Sequence, residues 1–511
     1  MTTTVNSSGL SEGALTRWVA NVPQWAILAF GAAISMFAVG GRWDIALAAW
    51  IAPVFLLRFS RTSTPLKAIG VIWLICIVNV AWSTLQLSSG GSLAGPLVYG
   101  AAIGTILCFP YIVDRLFAVR LGLVARLLVF PACLATAEFL VASFSPVGFV
   151  TGARAATQAD NLPLLQVMSL TGPYSIGFLI AWFATTANLV WEEGSLQKVM
   201  RPLLIFAAVL LAIISLGMAR IAFAPTPSDY VDVAGITPSR AVKEDIRQVF
   251  GANMPGSLEA VQAADQDKLL AAYDILLDDL IDGTHEAAKA GAQIVIWSEN
   301  AASATPESRN AVLERAAAVA REEGIYLNIG LSEAYSRNQT FLFNPDGKIE
   351  WHYMKNHPVF LMEPTPAGDT PVPVTSTPFG RLSNVICFDA DFPTLTRVSA
   401  DIMLVPGADW PQIGRVHTLN MARLRAIENG YALVRIASNS QSAAFDRYGR
   451  ILATQDTTSP ERHIMYAQVS SKNGGTLYNV IGDVFAWICL LGVAAAIGLV
   501  IFPRTKSPSH V

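Results

Sequence analysis

The spacing of apolar and polar residues changes character along the chain. Through about the first 225 residues, long uncharged runs are separated by short charged loops; beyond them, apolar and charged residues alternate over short distances. A helix that crosses a bilayer needs about 20 mostly apolar residues. Residues 18–41 carry no charge, and neither does the stretch 68–113, whose Ser88-Ser89-Gly90-Gly91-Ser92 reads as a turn between two spans. Further spans are expected near 43–58, 122–145, 165–190, 202–222 and 483–503. Segment 43–58 is uncharged only over 45–57 and also fits an interfacial or re-entrant segment. Seven spans are thus expected before the polar region and one after it, a membrane α-helical bundle of about 8 transmembrane helices.

Between the last two spans the periodicity shortens. Strands are expected at 230–236, 293–297, 326–331, 382–388, 402–406, 432–436 and 464–469, short apolar runs rich in β-branched residues. Amphipathic helices are expected at 265–290, 307–323 and 416–429, the first two ended by Gly291 and Gly324. Such alternation predicts an α/β domain with packed sheets. Residues 238–258 lack clear periodicity and 364–378 is rich in Pro and Thr, so both are expected to be mobile loops. The chain divides into 1–223, a transmembrane region; 224–478, a water-soluble domain; and 479–511, a last span with its tail.

Composition sharpens this division. Hydrophobic residues make up 53% of the 511 and charged ones only 14%, against about a quarter in a soluble domain. A formal net charge of −3 gives no sign of nucleic-acid binding. The first apolar run is followed by more such runs, so it reads as a span and not as a cleaved signal. Lys and Arg in short loops set orientation. With the N-terminus in the cytoplasm, the inner loops hold Arg58, Arg61 and Lys67, then Arg115, Arg120 and Arg126, then Lys198 and Arg201, and the tail adds Arg504 and Lys506. The outer loops hold little beyond Arg42 and Arg154. That asymmetry puts residues from about 224 to 480 outside the cytoplasm. Glu138 falls within the fifth span, where a carboxylate is costly; an interhelical hydrogen bond and a part in substrate entry are both open.

Of the cysteines, Cys76, Cys108, Cys133 and Cys489 lie in or beside expected spans, where a thiol behaves as a small hydrophobe. Cys387 alone belongs to the soluble domain, with no evident disulfide partner there, which marks it as a candidate reactive thiol. It follows Asn384-Val385-Ile386, at an expected strand end. Glu299 closes Val295-Ile296-Trp297-Ser298, and Lys355 stands in Tyr353-Met354-Lys355-Asn356-His357. Singly, these read as an inert buried thiol, a solvated strand end and a surface charge. Together they offer a nucleophile, a base and a cation. A free thiol is only a few per cent thiolate at neutral pH, and a desolvated Glu299 can take its proton and return it to a leaving group. The Lys355 ammonium favours both the thiolate and the oxyanion of a tetrahedral intermediate, with the Phe388 N–H as a natural second donor. His285, His352, His357, His417 and His463 stand in no motif that supports Cys/His catalysis. No His/Cys pair shows metal-ligand spacing, so neither a metal nor a cofactor is expected.

In their order, strand-Glu299, Tyr353-x-Lys355 and Cys387-aromatic-acid resemble the nitrilase (carbon-nitrogen hydrolase) superfamily over about 228–470. Thr377-Pro378-Phe379-Gly380 and Phe392-Pro393 belong to the same pattern. The resemblance implies a nitrilase-like αββα sandwich with Glu299, Lys355 and Cys387 as catalytic residues. With spans on both sides, nearly the whole chain is similar to the apolipoprotein N-acyltransferase family. That similarity implies a second active-site glutamate at Glu363, with Asn338, Phe388 and Trp410 supporting the triad or binding substrate. It also likens 417–435 to the family's helix and strand after the Trp410 loop, and Glu138 to an acidic residue in its fifth span.

The implied reaction is ping-pong. A phospholipid acyl donor acylates Cys387 as a thioester, and the α-amino group of a diacylglyceryl-modified apolipoprotein takes the acyl chain. The implied setting is the bacterial cytoplasmic (inner) membrane, with the catalytic domain facing the periplasm or cell exterior. The alternative is a membrane-tethered amidase acting on a small or lipidic amide. Three departures from the family pattern bear on the acceptor: Cys387-Phe388-Asp389 for Cys-Tyr-Glu, Val359-Phe360-Leu361-Met362-Glu363 for Val-Pro-Phe-Gly-Glu, and a first strand without Gln-Gly-Asn. A topology reporter fused at Asp265 is expected to be active only outside the cytoplasm, and one at Lys506 only inside. A cytoplasmic signal at Asp265 would reverse the orientation and remove the lipoprotein reading with it.

Overall fold

A computed structural model describes residues 22–502 apart from 91, 150–153, 194–195, 240–241, 251–256, 335 and 361. The start of the first expected span, and the tail with Arg504 and Lys506, lie outside the described residues. Six described helices are long and apolar enough to cross a membrane: Pro65–Leu87, Ala94–Leu116, Leu123–Phe144, Tyr174–Glu193, Gln197–Ala222 and Val484–Ile501. Two shorter helices occupy the other expected positions, Gln24–Ser35 with 12 residues and Ala46–Thr62 with 17. The span expected at 165–190 begins later, at Tyr174. Before it, Gly172 (φ +78°) and Pro173 break the helix into the single turns Leu162–Leu165 and Met168–Thr171.

Arg61, Arg115 and Arg126, expected in loops, lie instead in the end turns of helices. Arg61 bonds Asp114 at 2.7 Å and Glu192 at 3.3 Å, Arg126 pairs with the same Glu192, and Arg115 donates to the Ser63 carbonyl. Glu138 is buried in Leu123–Phe144, and its carboxylate pairs with Arg154 at 3.0 Å. That arginine opens the short turn Arg154–Thr157 after the helix, so the pair joins a span to a loop and not two spans.

In the soluble domain the strands are β1 (Tyr230–Thr237), β2 (Ile294–Trp297), β3 (Ala302–Ala304), β4 (Tyr326–Glu333), β5 (Arg337–Phe343), β6 (Ile349–Met354), β7 (Val374–Thr377), β8 (Gly380–Asn384), β9 (Ile402–Ala408), β10 (Ala432–Ser438), β11 (Gln441–Phe445), β12 (Ile451–Asp456) and β13 (His463–Ser470). They form two sheets, β13-β1-β2-β4-β5-β6 with β3 beside β4, and β12-β11-β10-β9-β8-β7. Each sheet has a parallel centre (β1-β2-β4 and β8-β9-β10) and antiparallel edges. Alternation along a strand explains the layering. Ile294 and Ile296 face the other sheet, meeting Ile402, Leu404, Val434 and Ile436, while Val295 and Trp297 face outward. The helices Gln266–Lys289 and Arg309–Glu323 cover that outer face, and Ala422 and Ala426 cover the second sheet. The result is an αββα sandwich of the nitrilase type.

Several expectations need correction. Residues 238–258, read as a loop, carry the helix Val242–Phe250. The Pro/Thr-rich stretch contributes the edge strand β7. Strands β3, β5, β11 and β12 were not expected, being too short or too polar to stand out as apolar runs. The helix expected at 416–429 comes in pieces, with the π-helical turn Val416–Ala422 followed by Arg423–Asn429.

The domain is docked on the bundle through a shared core. Phe388, Phe392, Val416 and Met421 pack with Phe139, Phe149, Tyr174 and Ile176 of the membrane part. Hydrogen bonds reinforce the seam: the Phe149 N–H donates to the Asp391 carbonyl (2.8 Å), the Trp410 indole to the Leu87 carbonyl (2.5 Å) and Arg423 to the Ala159 carbonyl (2.7 Å). One glycine ties the sheet to the site. At Gly330 a Cβ would lie 2.1 Å from the Ser298 carbonyl oxygen and 3.1 Å from the Glu299 Cα. Gly330→Ala is therefore expected to displace the end of β2 and cost about 1–3 kcal/mol, read as a lower midpoint of thermal inactivation. An unchanged midpoint would mean that the strand end shifts freely.

Candidate active site

Three strand ends and one loop converge at the edge of the sandwich nearest the bundle. Glu299 follows β2, Lys355 follows β6, and Cys387 comes three residues after β8. Glu299 and Lys355 are buried, with Lys355 Nζ donating to Glu299 Oε1 at 2.8 Å and to Glu363 Oε2 at 2.7 Å. Asn338 of β5 bridges the same two carboxylates, at 2.7 Å to Glu299 and 3.2 Å to Glu363. The Ala408 N–H fixes the other oxygen of Glu299 at 2.8 Å, and the Val359 N–H donates to Glu363 at 2.6 Å. Burial works against the Lys355 cation, but Glu299, then Cys387 and Glu363, outweigh it and hold its pKa above the ordinary lysine value. It is therefore a fixed positive charge.

Cys387 does not end a strand as expected. β8 stops at Asn384, and Cys387 opens a tight 3₁₀ turn, Cys387–Asp391, with its own φ at +47°. Asp389 explains the bend. Its buried carboxylate accepts from the Tyr353 hydroxyl (2.8 Å) and from the backbone N–H groups of His357 (2.7 Å) and Ile386 (3.2 Å), which pulls the chain out of the sheet. The His357 ring stacks on Phe392 at 3.6 Å. A left-handed backbone at a non-glycine residue is a strained arrangement of the kind that presents a nucleophile. Burial, then the Glu299 and Asp409 carboxylates, push the Cys387 thiol well up, while Lys355 and Arg435 pull the other way. The balance favours the thiol over the thiolate.

Phe388 is buried at the seam with the bundle, and Trp410 is half-buried there, tied to Leu87. Glu299, Lys355, Glu363 and Asn338 thus share one hydrogen-bonded cluster. Cys387 is linked to it through Ala408, whose carbonyl lies 3.9 Å from Sγ.

Comparison with known proteins covers both halves of the chain. Residues 252–477 match the family model for carbon-nitrogen hydrolase, and residues 15–186 match that for the apolipoprotein N-acyltransferase N-terminal domain. The chain is 26% identical to the apolipoprotein N-acyltransferase of Geobacter metallireducens, over 90% of this chain and 92% of that protein. The chain thus resembles apolipoprotein N-acyltransferases along nearly its whole length. A second such enzyme, from Bradyrhizobium diazoefficiens, is 26% identical over 70% of each chain. Among solved structures, an amidase from Nesterenkonia sp. is 20% identical, with a TM-score of 0.37 over 47% of this chain and 91% of its own.

One part of this site was not foreseen from sequence: Arg435, Asp409, His417 and Asp391, all buried beside Cys387. The available signal was a lone arginine inside the otherwise uncharged run of β10, Ala432–Ser438. Cys387, Asp409 and His417 bring three donor atoms within 4.8 Å of one another, a spacing that a metal could use. The Arg435 guanidinium already lies 3.5, 3.2 and 2.9 Å from those atoms. The positive charge there is its own, so the donor set does not fit a further cation. Lys355→Ala should lower the rate of Cys387 acylation about 10²–10³-fold, followed by intact-protein mass spectrometry. Lys355→Arg should not rescue it, because a guanidinium is larger and presents its charge differently; an active Arg variant would mean that charge alone matters.

Proposed function

We propose that the chain is a bacterial inner-membrane acyltransferase that moves an acyl chain from a phospholipid to the α-amino group of a diacylglyceryl-modified apolipoprotein. The observation that carries this reading is the position of the site: a buried Glu/Lys/Glu cluster and a strained cysteine at the seam where the domain packs on a membrane bundle. A soluble amidase has no need of such a seam, whereas two membrane-anchored substrates do. The Lys/Arg asymmetry of the loops supports a domain spanning 224–478 on the non-cytoplasmic side.

In the first half-reaction Glu299 takes the Cys387 proton as sulfur attacks the ester carbonyl. Lys355 and the Phe388 N–H stabilise the oxyanion, and the proton goes to the departing lysophospholipid oxygen. In the second, the acceptor amine attacks the thioester, Glu299 takes a proton from nitrogen, and the thiol is restored. Between the two, the first product must leave and the acceptor must enter. The loop that bears Glu363 suits this exchange: Phe360 and Met362 are each 56% exposed, apolar surface available to lipid, while Glu363 anchors the loop to Lys355.

Protein incubated with phospholipid should gain one acyl group on Cys387 and lose it faster to a lipopeptide amine than to water. Cys387→Ala should gain none, and Glu363→Ala should slow release to the amine more than acylation. If wild-type thioester is drained by water as fast as by the amine, the enzyme is a hydrolase.

A further inference from the structure

Next to Cys387 lies a buried chain of charges with no part in the Glu299–Lys355 pairing. Arg435 projects from β10, and its Nη2 lies 3.5 Å from Cys387 Sγ. Its two terminal nitrogens donate to both oxygens of Asp409, at 3.0 and 3.2 Å, and Nη1 also reaches the Thr418 hydroxyl at 3.3 Å. Asp409 further accepts from the Ser440 hydroxyl (3.1 Å) and lies 2.9 Å from His417 Nδ1. His417 Nε2 in turn lies 2.6 Å from Asp391, the last residue of the turn that Cys387 opens. The chain of contacts therefore leaves the nucleophile and returns to its own turn.

The surroundings are shaped for the guanidinium. At Gly407 a Cβ would come within 2.7 Å of Arg435 Nη1, so a glycine admits it to this position. A buried arginine needs a carboxylate partner, and Asp409 grips it in the two-point geometry that fixes both distance and plane. A purely structural pair would be complete with that grip. Here one of the gripped nitrogens is also turned to the sulfur.

We propose that Arg435 is a second catalytic cation that stabilises the Cys387 thiolate, with Asp409, His417 and Asp391 as positioning residues that hold the guanidinium on the sulfur. The inference rests on Cys387 being the nucleophile. It acts in both half-reactions. When the S–H proton passes to Glu299, negative charge appears on sulfur beside two carboxylates, Glu299 and Asp409. When the thioester is aminolysed, the C–S bond breaks and its electron pair returns to the same atom. Lys355 is shared between Glu299 and Glu363, whereas a guanidinium nitrogen of Arg435 lies against the sulfur itself. The groups facing it are Cys387, Asp409 and His417, with Asp391 behind His417. Although burial disfavours the His417 cation and Arg435 opposes it, Asp391 and Asp409 hold its pKa up to about 9. The positioning cluster therefore keeps its charges through neutral pH and loses one as pH rises through that value.

The test is thiolate reactivity, which needs neither lipid nor acceptor. Full-length protein in detergent is alkylated with iodoacetamide from about pH 6 to about pH 10, and the Cys387 peptide is quantified by mass spectrometry. Arg435→Gln, which removes the charge and keeps a polar side chain, should slow alkylation at neutral pH by about ten-fold or more and move the profile to higher pH. Arg435→Lys should fall between it and the wild type, since an ammonium cannot hold Asp409 in two-point geometry and reach sulfur as well. It also carries the test if the Gln variant does not fold. Folded variants whose profiles superimpose on the wild type would reduce Arg435 to a structural role, whatever their acyl-transfer rates. A wild-type Cys387 that alkylates as described but is never acylated by phospholipid would instead sink the acyl-transfer reading and leave this one standing.

Discussion

An ammonium group cannot leave water by itself, and the arrangement of this active site follows from that constraint. Lys355 is almost fully buried, so it must bring carboxylates with it, and it brings two. Removing one partner of a buried ion pair typically costs about 3–5 kcal/mol, because the other is left uncompensated. The second carboxylate, Glu363, comes from a loop and not from the sandwich. The loop is thus latched to the core by the same charge that pairs with Glu299, so displacing it would uncover the cluster and weaken its electrostatics together. Asn338, bonded to both carboxylates, makes the latch and the Glu299–Lys355 pair one network.

The second organising feature is the seam between the domain and the bundle. Phe388 and Phe392, on either side of the strained turn, sit in the same apolar cluster as Phe139 and Tyr174 of the spans. Cys387 is therefore set at a fixed height relative to the helices. For substrates whose acyl chains lie in a bilayer, that fixed height replaces much of the search that a freely diffusing enzyme would need.

Much of this was legible in the sequence for simple physical reasons. Spans and parallel central strands must be almost free of charge, so they read as apolar runs, and Glu299 stood just past the end of one, whereas Lys355 gained meaning only beside Glu299 and Cys387. Strands alternating with amphipathic helices predicted an α/β domain with packed sheets, and the αββα layering was implied by the nitrilase resemblance. What failed was whatever depended on side chains from distant segments. The bend at Cys387 comes from Asp389 bonding Tyr353 and two backbone N–H groups, which no local pattern reveals. His417 looked unsupported because its partners, Asp391 and Asp409, come from other segments. The helix Val242–Phe250 is polar enough to pass for a loop, and strands such as β11, with Gln441 and Ser442, lack the apolar run by which the others were found. At the first two expected spans stand shorter helices, Gln24–Ser35 and Ala46–Thr62, and Arg58 and Arg61 belong to the second of them and not to a loop after it.

The seam also bears on modularity. Many enzyme domains can be cut from a membrane anchor and studied alone, because the linker crosses no core. Here the linker around 223–229 joins two parts that already share one interior. Severing it and discarding the helices would leave Phe388, Phe392, Val416 and Met421 facing water, and would take from Asp391 the N–H of Phe149 that bonds its carbonyl. Those losses fall on the turn that holds Cys387. The catalytic half of this chain is not a cassette, and recombination that paired it with a foreign anchor would have to rebuild the floor of its active site.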